Sequence, residues 1–567
     1  MNIDTSKYNN IACLLTEMAQ TYPTREALVE SVSVGSAFDV KYKSLTFAEL
    51  ENLSNAYARL FAENGVGKGC RTLMMMRPGL EFTAAVFAAF KVGAVPILID
   101  PGMGRSNFLE CVRSTAPEAL VAISAVHWLK YIFKSSFKSV KHSFSFGACP
   151  PSWGLMRLEK AATADSIKQT GAALFETADT TPEDEAAILF TTGSTGPPKG
   201  VVYTHQTFLA QVAIISKVYG VTPQHVDMSG FPLFALFAVA MGMKSVIPKM
   251  DFTRPAKVTP QIIINTIRDH NVSFSFGSPA LWLTMANYCR HNKIKMPTLK
   301  KVLMAGAPVN AALHKAVKAI IAQDAETMVP YGATEALPIS NFNGTEMLNK
   351  TAKKSTSGEG YCVGYVNEGL EIKIIKSIDK VIPKWDESLV LPVGERGEIV
   401  VKGKVVTREY YGKPEATAMA KIYDTDGQVW HRMGDVGYFD SHNRLWFCGR
   451  KAHRVICGDR ILYSVCVESI FNNHPHVFRS ALVGVRHKDE VIPVLMVQPL
   501  PEHFPKNSYE RSNFKRELLK TAEHFEFCAG IDTLIFMKDF PVDIRHNAKI
   551  FREKLAIKAT ETLSKYL

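Results

Sequence analysis

From the N-terminus to about residue 440, two hydrophobic rhythms alternate along the chain. Thr46–Asn64 repeats apolar residues at three-to-four spacing, and Thr46 with Glu49 three positions on is the pattern of a capping box, so a helix is expected there. Arg71–Met76 is a short β-type run, Phe82–Val92 returns to helical spacing, and Val95–Ile99 is a second strand. The same alternation recurs as a helix at Ile262–Asn271, strands at Val272–Phe276 and Val302–Met304, and a helix at Ala311–Ala322. This order predicts an α/β fold: a large N-terminal domain of mixed, largely parallel sheets flanked by helices. Gly358–Phe447 changes to strands and turns (EIKII, GEIVVKG, RLWFCGR), which adds a β-rich subdomain. After Arg450 the pattern is that of a small α+β unit. A chain of 567 residues exceeds what one core supports. The boundary is therefore placed near Cys448–Ala452, giving domains 1–448 and 449–567.

Composition narrows the class. With 47% hydrophobic and 21% charged residues the chain is neither disordered nor membrane-embedded in type. Its longest uncharged apolar stretch, Phe231–Met243, is shorter than the roughly 20 residues of a spanning helix. MNIDTSKYNN lacks a basic segment followed by an apolar one, so no signal peptide is expected. The ten cysteines form no C-x-x-C pair, and Cys448, Cys457 and Cys466 lie nine apart, which is no metal-ligand spacing. Reduced thiols in a cytoplasmic protein are expected.

The net charge of +12 suits anionic ligands or surfaces, although no run of five basic residues suggests nucleic acid. The densest basic stretch is Leu129–His142, where Lys130, Lys134, Lys138 and Lys141 recur beside Tyr131, Ile132, Phe133 and Phe137. It reads either as a peripheral membrane or partner helix or, as most such stretches do, as the solvated face of an ordinary surface helix.

The most concentrated chemistry is AILFTTGSTGPPKGVVYTH, Ala187–His205. Between two β-type runs stand Thr191, Thr192, Gly193, Ser194, Thr195, Gly196 and then Lys199. Glycines let backbone amides approach an anion, hydroxyls add donors, and the lysine supplies a point charge. The Walker pattern is absent, since Pro198 precedes the lysine and Gly200 follows it. A plain polar hairpin loop is the alternative.

Six further segments have the form of ligand sites, each with an ordinary structural reading beside it. KVLMAGAP (Lys301–Pro308) ends a strand in a small-residue turn on which a flat ring can lie. YGATEALP (Tyr331–Pro338) gathers an aromatic face, the Thr334 hydroxyl and the Glu335 carboxylate, a Mg²⁺ ligand type; it also reads as a capped helix start. GERGEIVVKG (Gly394–Gly403) is a turn and strand. HRMGDVGYFD (His431–Asp440) puts Asp435 in a turn before a strand. Gly449–Arg450 closes the large domain. FPVDIRHNAKIFREKL (Phe540–Leu555) carries Lys549 in a loop entering a basic helix.

Taken in order, these segments resemble the adenylate-forming superfamily of acyl-CoA synthetases, peptide-synthetase adenylation domains and luciferases, from about Asn10 to Ala556. The resemblance implies ATP and Mg²⁺ as cofactors. Thr191–Lys199 would wrap the β- and γ-phosphates, and Gly306, Ala307 and Tyr331 would bracket adenine. Thr334 would lie near the α-phosphate with Glu335 on Mg²⁺, and Asp435 would take the ribose hydroxyls with Arg450 beside it. Lys549, delivered by a mobile C-terminal lid, would bridge the attacking carboxylate and the ribose oxygen. Lys549, Thr334 and Glu335 are thus the implied catalytic residues.

Three departures from the superfamily pattern bear on the second half-reaction. PLFALFAV has Ala235 where many acyl-CoA synthetases carry histidine or an aromatic residue. The hinge position is Ala452, with Arg450 to Gly458 one residue short of the usual spacing. Asn547-Ala548 replaces the usual Ser/Asn-Gly before the lysine. Ordinary thioester formation is put in doubt, whereas adenylation is not.

LIDPGMG (Leu98–Gly104), PLFALF and FPVDIRHNAKIFREKLA resemble the olefin-biosynthesis β-lactone synthetases, which act on long-chain 2-alkyl-3-hydroxy acids. The implied reaction is adenylation of such an acid with release of pyrophosphate, then attack of its own 3-hydroxyl to give a β-lactone and AMP. A long-chain acyl-CoA ligase and an acyl-AMP ligase loading a separate carrier are the enzymatic alternatives; a nucleotide-binding regulatory module is the non-enzymatic one. Phe274, Phe276, Gly277 and Phe231–Met243 are candidate walls of the acyl pocket, and His205 is a candidate base. Small-molecule acyl substrate and ATP are the expected partners, with other pathway enzymes and weak peripheral membrane contact as further ones.

Overall fold

The computed structural model describes residues 3–147, 149–150, 153, 155–162, 174–191, 197–488, 490–542 and 550–564. A seven-stranded sheet has the order Met156–Arg157, His142–Phe146, Ala119–Ile123, Arg71–Met75, Val95–Leu98, Glu185–Thr191, Lys199–Thr204. All its pairings are parallel except the last, which is an antiparallel hairpin.

A fourteen-stranded sheet has a parallel centre of Glu26–Val34, Lys244–Ile247, Val226–Ser229, Phe274–Gly277, Lys301–Met304 and Glu326–Ala333. From Ala336–Asn343 onward, toward Leu370–Ile375, it turns antiparallel. Parallel strands need crossover helices, which is why the alternating pattern of residues 46–322 builds them, whereas the strand-and-turn pattern of 358–447 builds hairpins. A separate three-stranded sheet joins Val477–His487, Glu490–Pro499 and Thr533–Phe536. This is the expected α/β architecture with mixed sheets.

Local signals fix the helices. Thr46 caps Phe47–Glu63, and its reciprocal bond with Glu49 completes the capping box. Against this helix packs Leu80–Lys91, buried on nearly every side, which carries Lys91 into the core as an ion pair with Glu51 at 2.7 Å. Three expectations are corrected. Tyr331–Pro338 is not a helix start but the turn of the hairpin Glu326–Ala333/Ala336–Asn343. Asp435 lies within the strand Val429–Phe439, not in a turn before one. Leu129–His142 is not one helix: a helix ends at Ile132, a 3₁₀ turn spans Lys134–Phe137, and a strand begins at His142. Among the described residues no helix is long and apolar enough to cross a membrane.

Candidate active site

The carboxyl ends of the parallel strands from both large sheets face one cavity of about 1860 Å³. Met75, Leu98, Phe146 and Phe190 line it from one sheet, and Gly230, Ile247, Phe276 and Ala305 from the other. Ligands of parallel α/β sheets bind at this end of the strands, where loops diverge and helix N-termini converge.

The hairpin carrying the hydroxyl-rich loop pairs Thr191 with Lys199. Thr192, Gly193, Ser194, Thr195 and Gly196 lie outside the described residues, as does the Thr191 side chain. Lys199 lines the cavity with its ammonium 4.9 Å above the ring of Tyr410. A second hairpin places Thr334 and Glu335 at its tip, on the same cavity. The segment Val406–Tyr410 holds the two hairpins together, bridging Val201 with Tyr410 and Ala336 with Val406. The Tyr410 hydroxyl donates to Glu335 Oε1 at 2.6 Å, the Thr407 amide donates to the Glu335 carbonyl at 2.9 Å, and the Tyr203 hydroxyl donates to the Thr334 carbonyl. Lys421, fully buried behind them, donates to the Thr407 carbonyl; burial pulls its amine down to about 7, opposed by the Glu335 charge.

On another side of the cavity, the turn after Lys301–Met304 brings Gly306 and Ala307 to the wall. Gly306 has φ of +91°, which an L side chain rarely adopts, so the backbone there stays bare. Tyr331 and Arg450 also line the cavity. Asp435 stands opposite Arg450 in register, accepting from Arg450 Nη1 at 2.7 Å and from the Tyr331 hydroxyl at 2.6 Å. The carboxylate beside it raises the Arg450 guanidinium, and burial first, then Asp435, raises the Tyr331 phenol. Asp435 is itself behind these two side chains, off the cavity lining.

From the C-terminal part come Glu468, Ile550 and Arg552. The Arg552 guanidinium grips both Glu468 oxygens, at 2.6 and 2.8 Å. Lys549 lies outside the described residues, but Ile550, its neighbour in sequence, is on the cavity wall.

The cavity continues into an apolar arm. Phe82, Val86 and Phe90 line it from one helix, and Phe208, Val212, Ile215 and Tyr219 from the helix His205–Tyr219. Both sets recur at one-turn intervals, the spacing of a single helix face. Phe231, Leu236, Phe237 and Ala240 also line the cavity, and Phe234 stacks on Phe276 with ring centroids 4.8 Å apart. Phe274, Gly277 and Ala235 are off the wall. Phe274 and Ala235 are core residues, so the aromatic presence near this corner comes from Phe234 and Phe231. His205 is also off the wall: it is fully buried, accepts from the Ile11 amide, and burial lowers its imidazole to about 4.

Tyr410, Tyr203 and Lys421 were not singled out from sequence. Each is a lone residue whose role exists only once the two hairpins meet.

Residues 15–411 match the family model described as AMP-binding enzyme. The chain belongs to this family. This AMP-binding enzyme is 40% identical over 571 residues to the olefin beta-lactone synthetase of Stenotrophomonas maltophilia, an alignment spanning 98% of this chain and 99% of the relative. It shares its fold with the amide bond synthetase McbA from Marinactinospora thermotolerans, at TM-score 0.77 and 20% identity over 97% of this chain and 99% of the other. The O-succinylbenzoate coenzyme A synthetase MenE from Bacillus subtilis, in complex with AMP, gives TM-score 0.72 at 20% identity over 97% and 98%. The chain is thus an adenylate-forming ligase.

Proposed function

We propose that this enzyme converts a long-chain 2-alkyl-3-hydroxy acid to a β-lactone at the expense of ATP. The observation that carries the reading is the continuity of one cavity, from the polar walls at Lys199, Glu335, Tyr331 and Arg450 into the apolar arm. The helix face that lines the arm, from Phe208 to Tyr219, spans about 16 Å at 1.5 Å per residue. An end-to-end relative named a beta-lactone synthetase supports the second step.

In the first step a carboxylate oxygen attacks the α-phosphorus of ATP and the bond to the β-phosphate oxygen breaks, leaving acyl-AMP and pyrophosphate. Lys199 and the loop 191–196 bind the outgoing phosphates, Thr334 lies by the α-phosphate, and Lys549 bridges the carboxylate and the ribose oxygen. Gly306, Ala307 and Tyr331 hold the adenine. Asp435 lies off the cavity lining, so its part is to keep Tyr331 and Arg450 oriented there rather than to take the ribose hydroxyls itself. Glu335 fits a Mg²⁺ ligand: it faces the cavity, Tyr410 fixes one oxygen, and the other accepts no hydrogen bond among the described residues. When bound, Mg²⁺ supplies charge neutralisation to the phosphates. In the second step the substrate's 3-hydroxyl oxygen attacks the acyl carbon, its proton leaves to a base, and the bond to AMP breaks. Holding that hydroxyl against the carbonyl in the arm supplies roughly 7–11 kcal/mol in favourable cases, against the strain of a four-membered ring. His205 is no candidate for the base, since it does not reach the cavity. Residues 1–448 form the adenylation domain and 449–567 a lid in this reading.

Incubation with ATP, Mg²⁺ and a synthetic 2-alkyl-3-hydroxy acid, without coenzyme A, should release AMP and β-lactone together, read by NMR and mass spectrometry. Turnover that requires coenzyme A and yields a thioester would sink the proposal.

A further inference from the structure

The helix Ser124–Ile132 turns outward a face that soluble proteins ordinarily bury. Trp128 is 57% exposed, Tyr131 44% and Ile132 65%. The orientation is fixed from the opposite side, where Val126 and His127 are buried and His127 Nε2 sits 3.1 Å from the Phe144 carbonyl. Trp153 extends the patch, with ring centroids 5.1 Å from Trp128 and 5.5 Å from Tyr131. Lys134, Lys138 and Lys141 are exposed in the segment that follows. Lys141 lies 3.5 Å from Glu118, and no ion pair joins Lys134 or Lys138 to a carboxylate among the described residues.

The solvated-face reading of this stretch requires lysines outward and aromatics inward. The structure inverts half of it: Lys130 turns in, donating to Ser143 Oγ at 2.8 Å, while Trp128, Tyr131 and Ile132 stay out.

We infer that this patch docks the enzyme on an anionic phospholipid surface. Trp and Tyr settle at the headgroup level, where an apolar ring and a polar edge are both satisfied, and lysines beside them meet the lipid phosphates. A protein partner fits less well, because lysine is depleted in protein–protein interface cores and here flanks the exposed rings. The net charge of +12 adds attraction at longer range. The strand that anchors the helix, His142–Phe146, ends in Phe146 on the cavity wall. The inference concerns binding alone and stands apart from the lactone reading.

The test is co-sedimentation of the full chain with mixed phosphatidylcholine–phosphatidylglycerol vesicles and with pure phosphatidylcholine vesicles. The wild type should bind the mixed vesicles, and high salt should weaken that binding. The variant W128S/Y131S/I132S, and separately K134E/K138E, should partition about tenfold less or weaker, with melting temperature and ATP–pyrophosphate exchange unchanged. Absence of wild-type binding to mixed vesicles overturns the inference, as does equal partition of the wild type and both variants. A change in oligomeric mass of the serine variant, without any lipid binding by the wild type, assigns the patch to a protein contact and equally overturns it. The charge variant keeps the test decisive if the serine variant fails to fold.

Discussion

At the scale of single residues, the site depends on groups whose partners lie far away in sequence. Tyr410 reaches Glu335 across 75 positions and Tyr331 reaches Asp435 across 104. Tyr410→Phe frees the Glu335 carboxylate without opening a cavity. Adenylation should then need more Mg²⁺ and slow by about tenfold, on the scale of one charge-assisted hydrogen bond, as read by ATP–pyrophosphate exchange against Mg²⁺ concentration. An unchanged Mg²⁺ dependence would remove Tyr410 from the site.

Asp227 is a different case. It is fully buried beside Ser229 and Ser245, and burial raises its carboxyl from the ordinary 3.8 to about 7. Between those values the folded chain keeps a proton that the unfolded chain has lost. Its contribution is therefore fully present below about pH 4, is lost as pH rises through the window, and levels off above 7. The loss is on the order of 4 kcal/mol at most. Asp227→Asn removes the titration, so its denaturation midpoint should gain on the wild type from pH 4 to pH 7. A difference that stays constant with pH would contradict this.

At the scale of elements, the sequence pattern was legible where local chemistry decides. The capping box at Thr46, the alternation through residues 71–99 and the strand run of 358–447 all formed as read. Reading failed where a segment's partner, not its own pattern, sets its shape. Tyr331–Pro338 has cap-like polar residues, but pairing of Glu326–Ala333 with Ala336–Asn343 makes it a hairpin tip. Lysine spacing at 130–141 suggested one helix, yet the chain leaves helical geometry after Ile132 to enter the sheet at His142. The helix His205–Tyr219 shows a further limit: its apolar stripe is ordinary core spacing in sequence, and only its neighbours make part of it a channel wall. Ile215→Trp should block that channel. Exchange driven by long-chain acids should fall at least about tenfold while short-chain acids are spared, since the change fills the arm but leaves the polar walls intact. Equal loss with both would place Ile215 in the core alone.

At the scale of the whole molecule, distant parts of the chain converge on one cavity. Arg552 and Glu468 fasten the start of the helix Arg552–Leu563 to the helix Ser464–Phe471, and both side chains face the cavity. The segment 451–454 is tied down as well, through Lys451 to Glu398 at 3.0 Å and Arg454 to Asp379 at 3.0 Å. What the sequence determined by itself was the fold class, the family and the adenylating chemistry, because periodicity, caps and ordered motifs are local and survive without a partner. Only the tertiary structure decided that Tyr410 and Tyr203 hold the site, that Ala235, Phe274 and His205 belong to the core, and that Trp128, Tyr131 and Ile132 face outward. Which side of an apolar residue is covered depends on what packs against it, and that is fixed by the rest of the chain.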